Sequence, residues 1–271
     1  MGVVAFTLGT DRGGSSMDIN GKVFLLPGGA SGLGGATANM LVENGARVVI
    51  ADFEVRPGRK RAKELGDSAI FIEMDVTSDE KGKATIDKTI ETFGRIDGVV
   101  NCAALGLAEK ILNKKDSHSL DHFTRVIQTN LVGTFNMLRL GADAMRHNEP
   151  NEQGERGIII NTSSIAAYEG QVGQAAYSAS KGGIWSLTAP AARELSDFGI
   201  RVMAIAPGLF ETPFYMSFPE KARQTLGQNV PFPRRLGFPN EYASLVKEII
   251  HNTMLNGETI RLDGALRMPP K

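Results

Sequence analysis

The stretch VFLLPGGASGLGG, residues 23–35, joins a short apolar run directly to a cluster of glycines. Val23–Leu26 predicts a fully buried strand, and Gly35–Glu43 has the residue types of a helix. A strand, a glycine turn and a helix start direct several backbone N–H groups at one point, where the helix dipole favours an anion such as a pyrophosphate. A glycine pattern alone is weak support because ordinary turns also carry it, so the surrounding sequence has to decide.

A carboxylate follows the next predicted strand. Arg47–Ala51 ends at Asp52, about twenty residues past the glycine turn, where an acidic side chain binds the hydroxyls of an adenosine ribose. A carboxylate there also repels a 2′-phosphate, which favours NAD over NADP. The basic run RPGRKR at 56–61 opposes this interpretation. We interpret the run as the solvated start of a helix, because Asp52 lies closer to the strand end.

Strand-like and helix-like segments alternate along the rest of the chain. This alternation predicts an α/β fold with a doubly wound parallel sheet of about seven strands flanked by helices. We expect one domain over residues 17–271 and a flexible tail over residues 1–16. The further predicted strands are Ala69–Met74, Gly98–Cys102, Ile158–Asn161, Ile200–Ala206 and Thr259–Leu262, and the further predicted helices are Asp79–Phe93, Leu120–Arg146, Ala175–Phe198 and Glu241–His251.

Composition argues against several kinds of function. The chain has 30 basic and 30 acidic residues, which gives no electrostatic case for binding nucleic acid or an anionic membrane. Its single cysteine, Cys102, cannot form an intrachain disulfide; this fits a reducing compartment, and we expect a cytoplasmic location. We interpret Cys102 as a small buried apolar residue. His118 and His122 have helical metal-pair spacing but no third ligand nearby, so no metal site is expected.

Two long segments interrupt the alternation. Leu105–Ser119 is polar and loop-like. Leu209–Arg235 carries five aromatic residues among several prolines. The aromatic residues could line a substrate cleft as a lid, or they could form a satellite core or a subunit contact.

The stretch AAYSASKGG, residues 175–183, places Tyr177 and Lys181 one helical turn apart. A tyrosine is a poor base at its ordinary pKa of about 10, and a nearby ammonium would lower that pKa toward neutrality. Such pairs are common and usually structural, but Ser164 follows a predicted strand and could donate to a substrate carbonyl. Ser163 competes for that role. Asn130 fits a surface amide or a buried structural hydrogen bond equally well.

Taken together, the glycine motif, Asn130, Ser164 and the Y-x-x-x-K pair resemble the short-chain dehydrogenase/reductase family over residues 18–268. The resemblance implies a Rossmann fold and hydride transfer between NAD(H) and a secondary alcohol. It implies a catalytic tetrad in which Tyr177 is the general acid/base and Lys181 also holds the nicotinamide ribose. Ser164 would orient the carbonyl, and Asn130 would fix a water in a proton relay.

The same resemblance implies two sets of binding residues. The cofactor set is Gly28, Ser31, Gly32, Leu33, Gly34, Asp52, Asp75, Val76, Asn101, Ala103, Tyr177, Lys181, Pro207, Gly208, Leu209, Phe210 and Thr212. The substrate set is Ser164, Gln171, Tyr177, Phe210 and Glu211.

Longer stretches, such as AAYEGQVGQAAYSASKGG and LNGETIRLDGALRMPP, are similar to a subgroup that acts on 3-hydroxyacyl-CoA and hydroxysteroid substrates. This similarity implies a homotetramer, and it adds the mitochondrial matrix as an alternative location. Three residues depart from the family pattern: Pro27 replaces a threonine, Ala104 replaces a glycine, and Glu211 replaces a small residue. The departures leave two alternatives open, a ketoreductase of specialised metabolism and a non-catalytic cofactor-binding or scaffold protein.

Overall fold

The computed structural model describes residues 17–270, so the tail expected over residues 1–16 lies outside the described residues. Seven parallel strands form one sheet in the described part of the chain. This confirms the doubly wound α/β fold. The strands are β1 (Val23–Pro27), β2 (Arg47–Asp52), β3 (Ala69–Glu73), β4 (Gly98–Asn101), β5 (Gly157–Thr162), β6 (Ile200–Pro207) and β7 (Thr259–Leu262).

Helices follow most of the strands, as parallel connections require. The RPGRKR run lies within the second helix, as predicted. The helices are α1 (Gly32–Glu43), α2 (Val55–Leu65), α3 (Asp79–Phe93), α4 (Leu120–Ile127), α5 (Gly133–Met145), α6 (Ala175–Ser196), α7 (Pro213–Met216), α8 (Glu220–Gln228) and α9 (Pro239–His251).

Strand residues alternate between two apolar cores, because both faces of the sheet are covered. Phe24 and Leu26 of β1 enter the core that includes residues of α1 and α9. Leu25 points to the opposite core, which includes residues of α3, α5 and α6. All three side chains are fully buried. The apolar run in the sequence is therefore continuous because β1 is buried on both faces of the sheet.

The order of strands in the sheet is β3-β2-β1-β4-β5-β6-β7. The chain moves outward from β1 to β3, then returns to the other side of β1 and continues from β4 to β7. This reversal leaves a crevice between β1 and β4 at the carboxyl ends of the strands, where ligands bind in open α/β sheets.

The long helix predicted over Leu120–Arg146 is divided by a π-helical segment, Gln128–Val132, which separates α4 from α5. Such π segments frequently occur at functional sites. Gly133, within the predicted helix, has a packing reason: a Cβ there would collide with the Val76 side chain. Gly133 thus allows α5 to pack closely against the residues that follow β3.

Arg201 on β6 is a buried side chain that caps the C-terminal end of helix α9. Its guanidinium donates to the carbonyls of Ile249, Ile250 and Leu255 at 2.8–3.0 Å, and to Glu155 Oε1 at 2.7 Å. These contacts satisfy carbonyls that a helix end leaves unpaired. Burial raises the pKa of Glu155 despite its contact with Arg201, so this carboxylate depends on the arginine to remain charged.

We expect Arg201→Met to lower the free energy of unfolding by about 3–5 kcal/mol, because it leaves Glu155 buried without its cation. A raised carboxyl pKa destabilises the fold above the unfolded pKa, so the loss should be larger at pH 8 than at pH 5. Urea unfolding at both pH values measures this. Adding Glu155→Gln should recover part of the loss, and a single-variant loss under about 1 kcal/mol contradicts the assignment.

Candidate active site

A cleft of about 1060 Å³ opens at the carboxyl edge of the sheet. Its lining comes from the ends of strands β1 to β6, from the start of α6 and from the segment after β6. The predicted cofactor and substrate residues that line it are Gly28, Ser31, Gly32, Leu33, Gly34, Asp52, Asp75, Val76, Ala103, Ser164, Tyr177, Lys181, Pro207, Gly208, Leu209, Phe210 and Thr212.

The glycine turn presents the start of α1 to this cleft. Ser31 occupies the N-cap position without a capping hydrogen bond from its side chain, and the first turn of α1 contains no acidic residue. The first N–H groups of the helix receive no side-chain cap from Ser31, and they form the positive end of the helix dipole. This end of the cleft fits the pyrophosphate of a dinucleotide cofactor.

Two of the glycines are required by packing within the protein. Gly28 has φ +77°, and a Cβ there would collide with the backbone of Cys102 and Ala103. A Cβ on Gly34 would collide with the carbonyl of Gly28. The glycines therefore bring β1, α1 and the end of β4 close together, and this close approach shapes the cleft.

Asp52 connects this turn to the end of β2. Its Oδ2 accepts from the Ala30 N–H at 3.1 Å, and its Oδ1 accepts from the Glu54 N–H at 3.0 Å. Each carboxylate oxygen has a further lone pair, so the side chain can still receive hydroxyl groups from the cleft. Asp52 is thus held in one orientation at the place predicted for the ribose.

The candidate catalytic residues lie together beside the end of β5, on the side of β4 away from β1: they are Ser164, Tyr177 and Lys181. Ser164 follows the end of β5, and it lies close enough to Tyr177, which projects from α6, to lower the pKa of the phenol. Lys181 lies one turn further along α6, with Nζ 5.8 Å from the centre of the Tyr177 ring. Ser163 instead donates to the Lys181 carbonyl at 2.9 Å. Of the two serines, Ser164 is therefore the one that meets Tyr177.

Burial determines the acidity of both titratable groups. It raises the pKa of Tyr177, and the neighbouring Ser164 hydroxyl offsets the rise only in part. Burial lowers the pKa of Lys181 to about 8. We expected the ammonium to lower the tyrosine pKa, but Lys181 Nζ instead donates to the Thr162 carbonyl at 2.7 Å. The phenol is therefore protonated at neutral pH, the form that can donate a proton to a carbonyl.

Asn130 is part of the π-helical segment and does not line the cleft. Its Oδ1 accepts from the Leu105 N–H at 2.7 Å, and its Nδ2 donates to the Leu105 carbonyl and to Ser180 Oγ, each at 3.0 Å. Ser180 in turn donates to the Tyr177 carbonyl. The buried amide thus connects the loop after β4 to the helix of Tyr177, and its role in a proton relay stays a prediction.

Three residues of the predicted binding sets also lie away from the cleft, among the residues described. Asn101 is buried in the sheet, where its Nδ2 donates to Asn161 Oδ1 at 2.9 Å. Gln171 binds the C-terminal segment through the Pro269 carbonyl. Glu211 is exposed and is one of the charges that raise the pKa of Arg235. The structure therefore does not bring these three side chains into the cleft lining, and their binding roles stay predictions.

The aromatic segment Leu209–Arg235 shows features of both a lid over the cleft and a satellite core. Phe210, Phe214 and Tyr215 line the cleft, whereas Phe232 is 82% exposed. Leu209 and Val230 from the same segment pack in a small third apolar cluster. The segment, which includes α7 and α8, therefore covers part of the cleft and forms a satellite core as well.

Several lining residues were missed from the sequence. Leu105, Leu107, Ala108, Gln174 and Met268 all reach the cleft. Leu105–Ser119 begins as a wall of the cleft and not as a free loop. A signal existed for Gln174, since it lies immediately before the helix of Tyr177, but Met268 is brought in by the fold alone.

The remaining sequence features have local explanations. His118 and His122 share the carboxylate of Glu109, at 3.7 and 2.7 Å. Across the described residues, no group of three or more His, Cys, Asp or Glu side chains could hold a metal ion. Burial raises the pKa of Cys102. Pro27 ends β1 with its carbonyl accepting from the Cys102 N–H, while Gly28 supplies the next donor to β2.

Comparison with known proteins agrees with this geometry. The family model described as short chain dehydrogenase matches residues 22–223. The chain belongs to the short-chain dehydrogenase family. Members transfer a hydride between a nicotinamide cofactor and a carbon that carries a hydroxyl or carbonyl group, so this chain is an oxidoreductase acting on a secondary alcohol or ketone. The non-catalytic alternative is therefore set aside.

Individual short-chain dehydrogenases are similar over nearly the full chain. The 3-hydroxyacyl-CoA dehydrogenase type-2 of Bos taurus is 56% identical over 254 residues, which are 93% of this chain and 97% of that protein. The protein of the same name from Drosophila melanogaster is 52% identical over 93% of this chain and 100% of its own length. The crystal structure of 3-hydroxyacyl-CoA dehydrogenase type-2 from Mycobacterium avium has a TM-score of 0.89 and 43% identity, covering 93% of this chain and 98% of that one.

We expect Gly34→Ala to weaken NADH binding at least tenfold, because the added methyl forces the turn away from the start of α1. Gly35→Ala is the matched control, since its Cβ would lie 3.5 Å from the Arg61 side chain in ordinary contact. Fluorescence titration with NADH measures both affinities. Equal binding by the Gly34 variant and the unmutated protein would contradict the packing argument.

Proposed function

We propose that this short-chain dehydrogenase interconverts 3-hydroxyacyl-CoA and 3-oxoacyl-CoA thioesters, or similar hydroxysteroid and ketosteroid pairs, with NAD(H). The observation that carries the proposal is the placement of Ser164 and Tyr177 beside Lys181 in a cleft with many apolar lining residues. The names of the bovine, fly and mycobacterial relatives support the acyl-CoA substrate class.

The chain supplies the proton transfer and the orientation of the substrate. When bound, the nicotinamide cofactor supplies or accepts the hydride. Ser164 Oγ accepts from the Ala166 N–H at 3.1 Å, and its hydroxyl proton is the group that would orient a substrate carbonyl. In reduction, Tyr177 donates its phenolic proton to the carbonyl oxygen as the carbinol forms. In oxidation, the phenolate takes that proton back.

The cleft also has apolar lining residues that could accommodate a long or bulky apolar group. Leu107, Ala108, Ile165, Tyr215 and Met268 line it. Burial raises the pKa of Tyr215 to about 12, with the neighbouring Tyr177 as a second cause, so Tyr215 stays neutral beside the reacting group. An apolar wall of this kind suits an acyl chain or a steroid ring better than a small polar alcohol.

NAD preference rests on Asp52 and on the absence of a competing cation. Asp52, Phe53 and Glu54 line the cofactor end of the cleft, whereas the side chains of the RPGRKR run are not among its described lining residues. A 2′-phosphate at this end would meet the Asp52 carboxylate, which disfavours NADP. Both oxygens of Asp52 accept hydrogen bonds from backbone N–H groups, and these bonds keep the carboxylate in place.

We expect Asp52→Asn to raise NADPH affinity relative to NADH about tenfold or more, because it removes the repelling charge with little change in shape. Glu54→Gln, which removes the neighbouring charge, should change the ratio less. Fluorescence titrations with both cofactors measure the ratios. Equal or tighter NADPH binding by the unmutated protein would overturn the NAD assignment.

The assembly and location follow from similarity to the subgroup. We infer a homotetramer, which light scattering at micromolar concentration would test, and a monomer would contradict it. No helix within residues 17–270 meets the length and hydropathy needed to cross a membrane. A cytoplasmic location is supported by the single cysteine, with the mitochondrial matrix as the alternative that cell fractionation would distinguish.

Turnover of acetoacetyl-CoA with NADH tests the proposed reaction. Tyr177→Phe keeps the ring but removes the proton donor, so we expect it to lower the single-turnover rate by about 10²–10⁴-fold while leaving NADH affinity unchanged. Tyr168→Phe, which removes a hydroxyl outside the cleft, should retain the rate.

The possible results separate the claims. No reduction of acetoacetyl-CoA by the unmutated protein would contradict the acyl-CoA assignment and favour a ketoreductase with another substrate. A near-native rate in Tyr177→Phe would contradict the proton-transfer role, whatever the substrate.

A further inference from the structure

Tyr242 is a buried tyrosine outside the cleft. It contacts Thr162, the residue whose carbonyl accepts a hydrogen bond from Lys181. It lies on α9 and is 0% exposed. Its hydroxyl oxygen is 2.8 Å from Thr162 Oγ1, at the end of β5. Burying a hydroxyl in an apolar core is unfavourable unless it is hydrogen-bonded, and a phenylalanine would fill the same space. The hydroxyl therefore has a role beyond packing.

The direction of this hydrogen bond follows from counting protons. A threonine hydroxyl has one proton. Thr162 Oγ1 is 2.6 Å from the Asn101 carbonyl oxygen, which can only accept. The threonine proton therefore goes to Asn101, and Tyr242 must donate to Thr162. Burial raises the pKa of Tyr242 well above its ordinary value, so the hydroxyl stays protonated as this donor requires.

The same threonine holds the ammonium of Lys181. Lys181 Nζ donates to the Thr162 carbonyl at 2.7 Å, and the lysine is buried. Thr162 is the last residue of β5, so its side-chain hydrogen bonds help to fix the direction of that carbonyl. Ser163 and Ser164 follow directly. The orientation of Thr162 thus affects the placement of both Lys181 and Ser164.

We propose that Tyr242 is a positioning residue for the reaction: its hydroxyl orients Thr162, which in turn holds the Lys181 ammonium and places Ser164 beside Tyr177. The proposal rests on the roles given above to Ser164, Tyr177 and Lys181. It connects α9, on one face of the sheet, to α6 on the opposite face through the end of one strand.

Tyr242→Phe and Thr162→Val, singly and together, test the connection. Small displacements of catalytic groups lower rates strongly, up to about 10²-fold for 1 Å, so we expect each single variant to lower kcat about tenfold. Because both remove the same hydrogen bond, the double variant should lose little more than either single variant. Independent losses would multiply to about a hundredfold.

The pH dependence distinguishes positioning from a general loss of stability. The pKa of Lys181 is about 8; Cys102 and Tyr177 are the titratable side chains beside it, and Tyr242 lies behind Thr162. A poorly placed Thr162 carbonyl stabilises the ammonium less, which lowers that pKa. The alkaline decline of both kcat/KM and NADH affinity should therefore move to lower pH in Tyr242→Phe.

Tyr168→Phe and Lys181→Met complete the experiment, with Tm measured for every variant. Tyr168→Phe should match the unmutated protein in rate and pH profile. A Tyr242→Phe variant with unchanged kcat and pH profile, or one that loses only Tm, overturns the positioning role. If Lys181→Met retains the native rate, the proposed role of Lys181 fails first. A large loss in Lys181→Met with none in Tyr242→Phe rejects Tyr242 alone.

Discussion

Because all the strand pairings are parallel, the chain must return to the same end of the sheet before each new strand can begin. The turns that leave the strands therefore collect along one edge. The reversal of direction between β1 and β4 opens that edge into a crevice. The glycine turn, Asp52 and Ser164 are far apart in sequence, and this constraint is what brings them to one cleft.

Burial on both faces has chemical consequences at that edge. Burial raises the pKa of Tyr177, so the phenol stays protonated, and burial lowers the pKa of Lys181 to about 8. The ammonium is stabilised by the Thr162 carbonyl, which is available because β5 ends at that residue. The fold thus places a neutral acid, Tyr177, beside a cation, Lys181, whose pKa is lowered toward neutral pH. In this arrangement, modest changes in position or charge shift the proton equilibria that the reaction uses.

The sequence predicts much of this and fails for definable reasons. Apolar runs and residue order predict the strands and the parallel sheet, and the Y-x-x-x-K spacing predicts that Tyr177 and Lys181 share a helix face. The direction of a loop side chain has no such periodicity, and the side chains of Gln171 and Glu211, predicted for the substrate set, are not among the described residues that line the cleft. Tyr242 had no signal, since it meets Thr162 across 80 residues of sequence. The lowered tyrosine pKa was wrong because spacing does not report burial.

Direct hydride transfer is the claim on which the account depends, and isotope transfer tests it most directly. A single turnover of acetoacetyl-CoA with each of the two diastereomers of [4-²H]NADH can be analysed by mass spectrometry. The account predicts deuterium at C3 of the 3-hydroxybutyryl product from one diastereomer only, because a fixed cofactor presents one face to the substrate. Deuterium from both diastereomers, or product formed without deuterium from either, would contradict it.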